Sequence, residues 1–180
     1  MESTIVVRSG RVDDVPAIAR VHVKSWQETY RGLMPDQVLD NPDFITAREK
    51  FWTTALTHER FAQSRIAVAL HDDSVIGIAL SGRPQDEAPS WSTQLYVIYV
   101  LAANLGSGAG PALLDAVIDS QEPAALWVAD PNPRAQAFYL KHGFLPDGAS
   151  KVEEGVREIR MVRAVVEGKT LTAPRQATYS

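Results

Sequence analysis

The chain has 180 residues, 45% of them hydrophobic and 22% charged, with a formal net charge of −4. That composition belongs to a globular domain with a core of its own, and it lacks the basic patch that would make nucleic acid the main partner. Cysteine is absent, which excludes disulfides, thiolate catalysis and cysteine-ligated metals. No apolar run approaches the roughly 18 residues of a membrane span and no secretory signal opens the sequence, so a cytoplasmic protein without a membrane partner is expected.

In chain order, Ile5–Arg8 reads as a short strand. Asp13 or Asp14 is placed to cap a helix that begins at Val15 and Pro16 and runs toward Trp26 or Tyr30, where Gly32 and Pro35 break it. A second helix starts at Asn41 and Pro42 and continues through Leu56, with Phe44, Ala47, Phe51 and Ala55 near helical spacing. Arg65–Leu70 and Val75–Ser81 read as strands joined by a turn over His71, Asp72, Asp73 and Ser74. Arg83–Ser90 is a polar loop.

The apolar, β-branched and aromatic run from Leu95 is a buried strand. Glycines then stand at alternate positions, Gly106, Gly108 and Gly110, and Pro111 opens an amphipathic helix with Leu113, Leu114, Val117 and Ile118 on one side. Strand, glycine loop and helix N-terminus together make a phosphate-binding device, because free N–H groups and the positive end of the helix dipole converge there. The glycines do not follow the dinucleotide spacing G-x-G-x-x-G, and Gly110-Pro111-Ala112 lacks the lysine and hydroxyl of a P-loop.

Ala125–Ala129 is the next strand, and Asn132 with Pro133 opens another helix that stops at Gly143. Phe144–Lys151 and Val156–Val162 form a closing hairpin around Glu153, Glu154 and Gly155. The order β-α-α-β-β-β-α-β-α-β-β predicts an α/β (α+β) domain over 1–163, a twisted mixed sheet of about seven strands with helices on both faces. Residues 164–180 form a C-terminal extension, suited to a dimer contact or to packing on its own domain. The spacing of His58, His71 and His142 matches no metal site, and H-E-x-x-H is absent.

The run Leu105-Gly106-Ser107-Gly108-Ala109-Gly110 resembles the acetyl-CoA pyrophosphate loop of the GNAT superfamily of N-acetyltransferases, Gln/Arg-x-x-Gly-x-Gly/Ala, with Leu105 in the Gln/Arg position. The segment after Ala125 is similar to the family's Asn-x-Arg-Ala-x-x-Phe-Tyr-x-x-x-Gly-Phe, matched by Asn132, Arg134, Ala135, Phe138, Tyr139, Gly143 and Phe144. Trp26, Tyr30, Gly32, Leu33 and Pro35 resemble the Trp-x-x-x-Tyr-x-Gly-Leu-x-Pro opening of an uncharacterised bacterial branch.

The resemblance implies an acetyltransferase that moves acetyl directly from acetyl-CoA to a primary amine of a small molecule in a ternary complex, with no metal. It further implies that Ile98, Tyr99 and Val100 pair with pantetheine, that Leu105, Gly106, Ser107, Gly108, Ala109, Gly110 and Pro111 cradle the pyrophosphate, and that Asn132 and Arg134 hold the cofactor. Tyr139 then gives a proton to the departing thiolate, as a phenol protonated at neutral pH can. His22, Trp26 and Tyr30 share a helical stripe that is either an acceptor wall, together with Glu28, or core packing. Gln94 stands where the branch often carries Glu, leaving Glu28, His22, Asp86, Glu87 or ordered water as the proton acceptor. Two alternatives stand: the acceptor is a protein N-terminus or lysine, or the protein binds acyl-CoA without turnover. Family members are often dimers, so a homodimer is expected.

Overall fold

The computed structural model describes residues 4–164, so the C-terminal extension from 165 on, with its expected dimer contact, lies outside the described residues. Seven strands form one sheet: β1 (Ile5–Ser9), β2 (Arg65–His71), β3 (Ser74–Gly82), β4 (Thr93–Val100), β5 (Ala124–Ala129), β6 (Leu145–Glu153) and β7 (Val156–Arg163). Their spatial order is β1-β2-β3-β4-β5-β7-β6. Only the β4–β5 pairing is parallel. The last two strands are therefore swapped relative to chain order, and β7 lies against β5.

Period-two alternation divides the side chains between two cores. On one face Val68, Ile78, Leu80 and Val97 pack against α1 (Val15–Tyr30) and α3 (Asp43–Thr57), through Val15, Ile18, Val21, Trp52 and Ala55. On the other face Ala67, Ala69, Ala79, Leu126, Val128 and Met161 meet α4 (Ala109–Val117) and α5 (Pro133–Lys141), through Leu113, Leu114, Val117 and Tyr139. Three alanines on that face let α4 sit close to the sheet. The predicted class, a mixed sheet with helices on both faces, is the observed one. Both hairpin turns use positive φ, at Asp72 and Asp73 and at Glu154 and Gly155, which matches the twist of the strands they join.

Three local expectations need correction. Asp14 precedes α1, but its carboxylate does not cap that helix; it accepts from the Arg11 N–H at 2.8 Å and from both Arg8 guanidinium nitrogens. A charged fork offers it a stronger bond than the helix amides do. Pro111 does not open α4: Gly108, at φ 88°, is the N-cap, Ala109 the first helical residue and Pro111 the third. Between Pro35 and the second predicted helix the chain forms a short extra turn of helix, α2 (Asp36–Leu39), beside Arg31, which pairs with Asp36 and Asp40. No helix among the described residues is long and apolar enough to cross a membrane.

Candidate active site

The site begins where β4 and β5 part. They pair only from Thr93↔Ala124 to Leu95↔Leu126. The cause lies on the other side of β4, where the register with β3 slips between Leu80 and Ser81 and leaves Tyr96 without an opposite residue. Such a bulge bends its strand and increases the local twist. Tyr96 and Val97 consequently both pack toward the α1/α3 core. Beyond the bulge, the Leu101 N–H donates to the Ile76 carbonyl at 2.9 Å. By the alternation of an antiparallel ladder, Tyr99 spends its backbone groups on β3, while Ile98 and Val100 turn theirs toward the gap.

Ile98, Tyr99 and Val100 on one wall and Trp127, Val128 and Ala129 on the other line a cavity of about 690 Å³. Leu105, Gly106 and Gly110 close one end of it. Gly106 and Gly108 have φ of 78° and 88°, and a Cβ on either would meet nothing within 4 Å, so glycine is required by the backbone turn and leaves open space above the loop. The amides of Ala109 and Gly110 are in the first turn of α4, where N–H groups have no intrahelical acceptor; that of Ala109 makes a long 3.4 Å bond to Ser107 Oγ. These features fit a pyrophosphate. Ser107 and Pro111 are exposed beside the cavity, Ala109 is buried in the core beneath it, and Leu105 is 44% exposed.

Asn132 caps α5 by accepting from the Ala135 N–H at 3.3 Å, and with Arg134 it lines the same cavity. Seven residues on, Tyr139 is buried on the cavity wall. Burial raises its phenol pKa, and the nearby Tyr30 adds to the shift, so Tyr139 is fully protonated at neutral pH. Glu28 also reaches this cavity, but its carboxylate accepts from the Ala102 N–H at 2.9 Å and ties α1 to the end of β4.

A second pocket, of about 330 Å³, adjoins the first, sharing Tyr30 and Trp127 with it. Trp26 forms part of its wall, stacked edge-on against Tyr30 at 5.1 Å. Two members of the predicted stripe, Trp26 and Tyr30, thus face a pocket. The third does not: His22 is 2% exposed and its Nδ1 accepts from Trp52 Nε1 at 3.0 Å. Desolvation, then the charge of Arg48, lowers its pKa to about 3, and it lines neither pocket. Asp86 pairs with Arg160 at 3.6 Å, Glu87 is exposed, and neither reaches the pockets.

Sequence reasoning missed Glu158. It lines the smaller pocket from β7, half-buried, as do Gln94 from β4 and Arg48 from α3. The signal was present: Ile159 and Met161 face one core, so Glu158 and Arg160 must face the other side of the sheet, where an inward carboxylate is unusual. Among the described residues no group of three or more His, Asp or Glu is arranged to hold a metal ion.

Comparison with known proteins gives the same picture. Residues 23–144 match the acetyltransferase (GNAT) family model. The chain is 29% identical over 140 residues to a Bacillus subtilis protein named as an uncharacterized N-acetyltransferase, YuaI, covering 78% of this chain and 67% of that one. It is 27% identical over 154 residues to a Mycobacterium tuberculosis protein named as a probable N-acetyltransferase, Rv2775, covering 81% and 83%. Among solved structures, the PaiA N-acetyltransferase of Thermoplasma acidophilum, in complex with coenzyme A, superposes with a TM-score of 0.67 at 15% identity, over 87% of this chain and 98% of that one. With the family model spanning both motifs, the splayed strands and the glycine loop, this chain belongs to the GNAT family of acetyltransferases.

Proposed function

We propose that the protein transfers the acetyl group of acetyl-CoA directly to a primary amine of a small molecule. The observation that carries this reading is the pair of adjoining cavities joined through Tyr30 and Trp127, one running along the splay to the glycine loop, the other small and aromatic-walled. The larger cavity suits a long cofactor with an anionic end. The smaller suits an acceptor of modest size, which favours a small amine over a protein lysine or N-terminus. Bound coenzyme A in the Thermoplasma relative agrees with the cofactor assignment.

In this reading acetyl-CoA supplies an activated thioester. Ile98 and Val100 hold its pantetheine arm by backbone hydrogen bonds, and an N–H from this segment polarises the thioester carbonyl. The amides of the glycine loop take the pyrophosphate, and Arg134 stands at the cavity wall as a cation for the same anionic end. Asn132 orients the arm, and Tyr139 protonates the departing thiolate. Without a cysteine nucleophile, catalysis is largely a matter of holding two substrates in line.

Thermal unfolding with acetyl-CoA at 100 times its dissociation constant tests the first half, since linkage expects a stabilisation of about 2.7 kcal/mol. Release of free coenzyme A in the presence of a panel of primary amines tests the second. A folded protein that gains no stability from acetyl-CoA contradicts the reading at its root. Stabilisation without turnover of any amine turns it into an acyl-CoA-binding module.

A further inference from the structure

We propose that Gln94 and Glu158 form the seat of the acceptor ammonium and that Glu158 takes its proton, a proposal that rests on the transferase reading above. Gln94 lies opposite Ala125 on β5 and Glu158 opposite Ala129. Alternation along β5 puts Ala125, Trp127 and Ala129 on one face, so Gln94, Trp127 and Glu158 share that face and enclose the smaller pocket together with Tyr30.

Gln94 is 7% exposed, and its Oε1 is buried without a hydrogen-bond partner. An unpaired buried carbonyl is costly and calls for a donor. An amide oxygen cannot carry off a proton, but it accepts a hydrogen bond from an ammonium well. Glu158 supplies the missing basic group. It is half-buried, and burial raises its carboxyl pKa, toward the range of an effective base. The charged and titratable groups around it are Lys151 and Glu153 of β6, Glu154 of the turn, Arg48 of α3 and Tyr30 of α1. Lys151 is 3.4 Å from Glu158 but also pairs with Glu153, so its charge is shared.

The rival carboxylates are otherwise placed. Glu28 is bonded to a backbone amide, and Asp86 and Glu87 lie outside the pockets; Glu153 and Glu154 line the smaller pocket too, but from the exposed hairpin tip, with Glu153 paired to Lys151. Tyr30 interacts electrostatically with both Glu158 and Tyr139. The proton acceptor and the proton donor therefore flank one phenol, on the two sides of the junction between the cavities.

The protons balance. The ammonium gives one proton to Glu158, and the freed nitrogen lone pair forms the C–N bond at the thioester carbonyl as the C–S bond breaks. Tyr139 protonates the sulfur and regains a proton from the acylated nitrogen. Glu158 then returns its proton to solvent, the single proton the overall reaction releases.

Two measurements on the full chain test this. In a nitrogen-resolved NMR titration at pH 7, benzylammonium should shift the Gln94 side-chain amide signals, whereas benzyl alcohol should not. Glu158→Gln should weaken benzylammonium binding about tenfold or more, the loss of a hydrogen bond to a charged group. Unmoved Gln94 signals, or equal affinity in the variant, overturn the seat. In turnover, Glu158→Gln should lower kcat/KM about 10²-fold for benzylamine, which is cationic at pH 7, and far less for 4-anisidine, which is neutral there. Equal losses for both amines, with acetyl-CoA binding intact, assign Glu158 a merely structural role and overturn the proton transfer. A wild-type protein that binds benzylammonium at Gln94 but acetylates no amine sinks the transferase reading while leaving the seat supported.

Discussion

Trp52 Nε1 donates to His22 Nδ1 at 3.0 Å across the α1–α3 interface, with both rings buried. The bond needs a neutral imidazole, and desolvation holds the His22 pKa at about 3 against 6.5 unperturbed. The unfolded chain therefore binds a proton here that the folded one refuses. The stabilisation from this group is complete above pH 6.5 and is lost as pH falls from 6.5 toward 3, at a limiting slope of about 1.4 kcal/mol per pH unit. In His22→Leu that contribution is gone. The stability gap between wild type and variant, followed by denaturant unfolding, should narrow as pH falls from 6.5 to 4. A constant gap means that His22 titrates normally.

Gly108→Val should disable cofactor binding without dismantling the fold. A side chain there meets no neighbour, so the cost is that of placing a β-branched residue at φ 88°, about 1–3 kcal/mol. The loop relieves that strain by moving its amides. Thermal unfolding should show a modest drop in Tm and loss of most of the acetyl-CoA-dependent rise seen in wild type.

Tyr139→Phe should separate chemistry from binding. The phenol is protonated throughout the physiological range, so its removal deprives the thiolate of a proton and leaves the wall of the cavity in place. Turnover should fall by about 10²-fold or more, with the dissociation constant for acetyl-CoA nearly unchanged by calorimetry. An equal loss in affinity would instead make Tyr139 a binding residue.

Leu105→Arg should tighten acetyl-CoA binding. Leu105 is 44% exposed and lines the larger cavity, so replacing it costs no core packing. A guanidinium beside the pyrophosphate is worth about 1 kcal/mol at an exposed position, roughly a fivefold gain that shrinks as salt is raised. Calorimetry at two ionic strengths reads both effects, and a salt-independent affinity would place the phosphates elsewhere.

The proposed cofactor half of the site is legible in the sequence because each of its parts is local. A strand, three alternate glycines and a helix start occupy consecutive residues, and Asn132 and Tyr139 lie on one helix. The strands were equally legible from their alternation and turn residues. The proposed acceptor half is not local. Glu158 shares a pocket with Gln94 only because β7 inserts beside β5, a choice of sheet order that no short motif encodes. His22 shows the converse limit. Its helical stripe with Trp26 and Tyr30 is real, but a stripe is wide enough to span a core and a pocket, and the packing of α1 on α3 buries His22 against Trp52.

The insertion of β7 also sets an order of events during synthesis. The residues that match the family model end at 144, before either closing strand has been made. Until residue 163 leaves the ribosome, β5 is an apolar sheet edge with open hydrogen-bonding groups, ready to capture any extended neighbour. The final hairpin seals that edge and delivers Glu158 in the same motion. If Glu158 has the proposed role, a truncated chain, or one stalled late in translation, would at once lack its proton acceptor and expose an aggregation-prone edge, which would couple the quality of the finished product to the appearance of its activity.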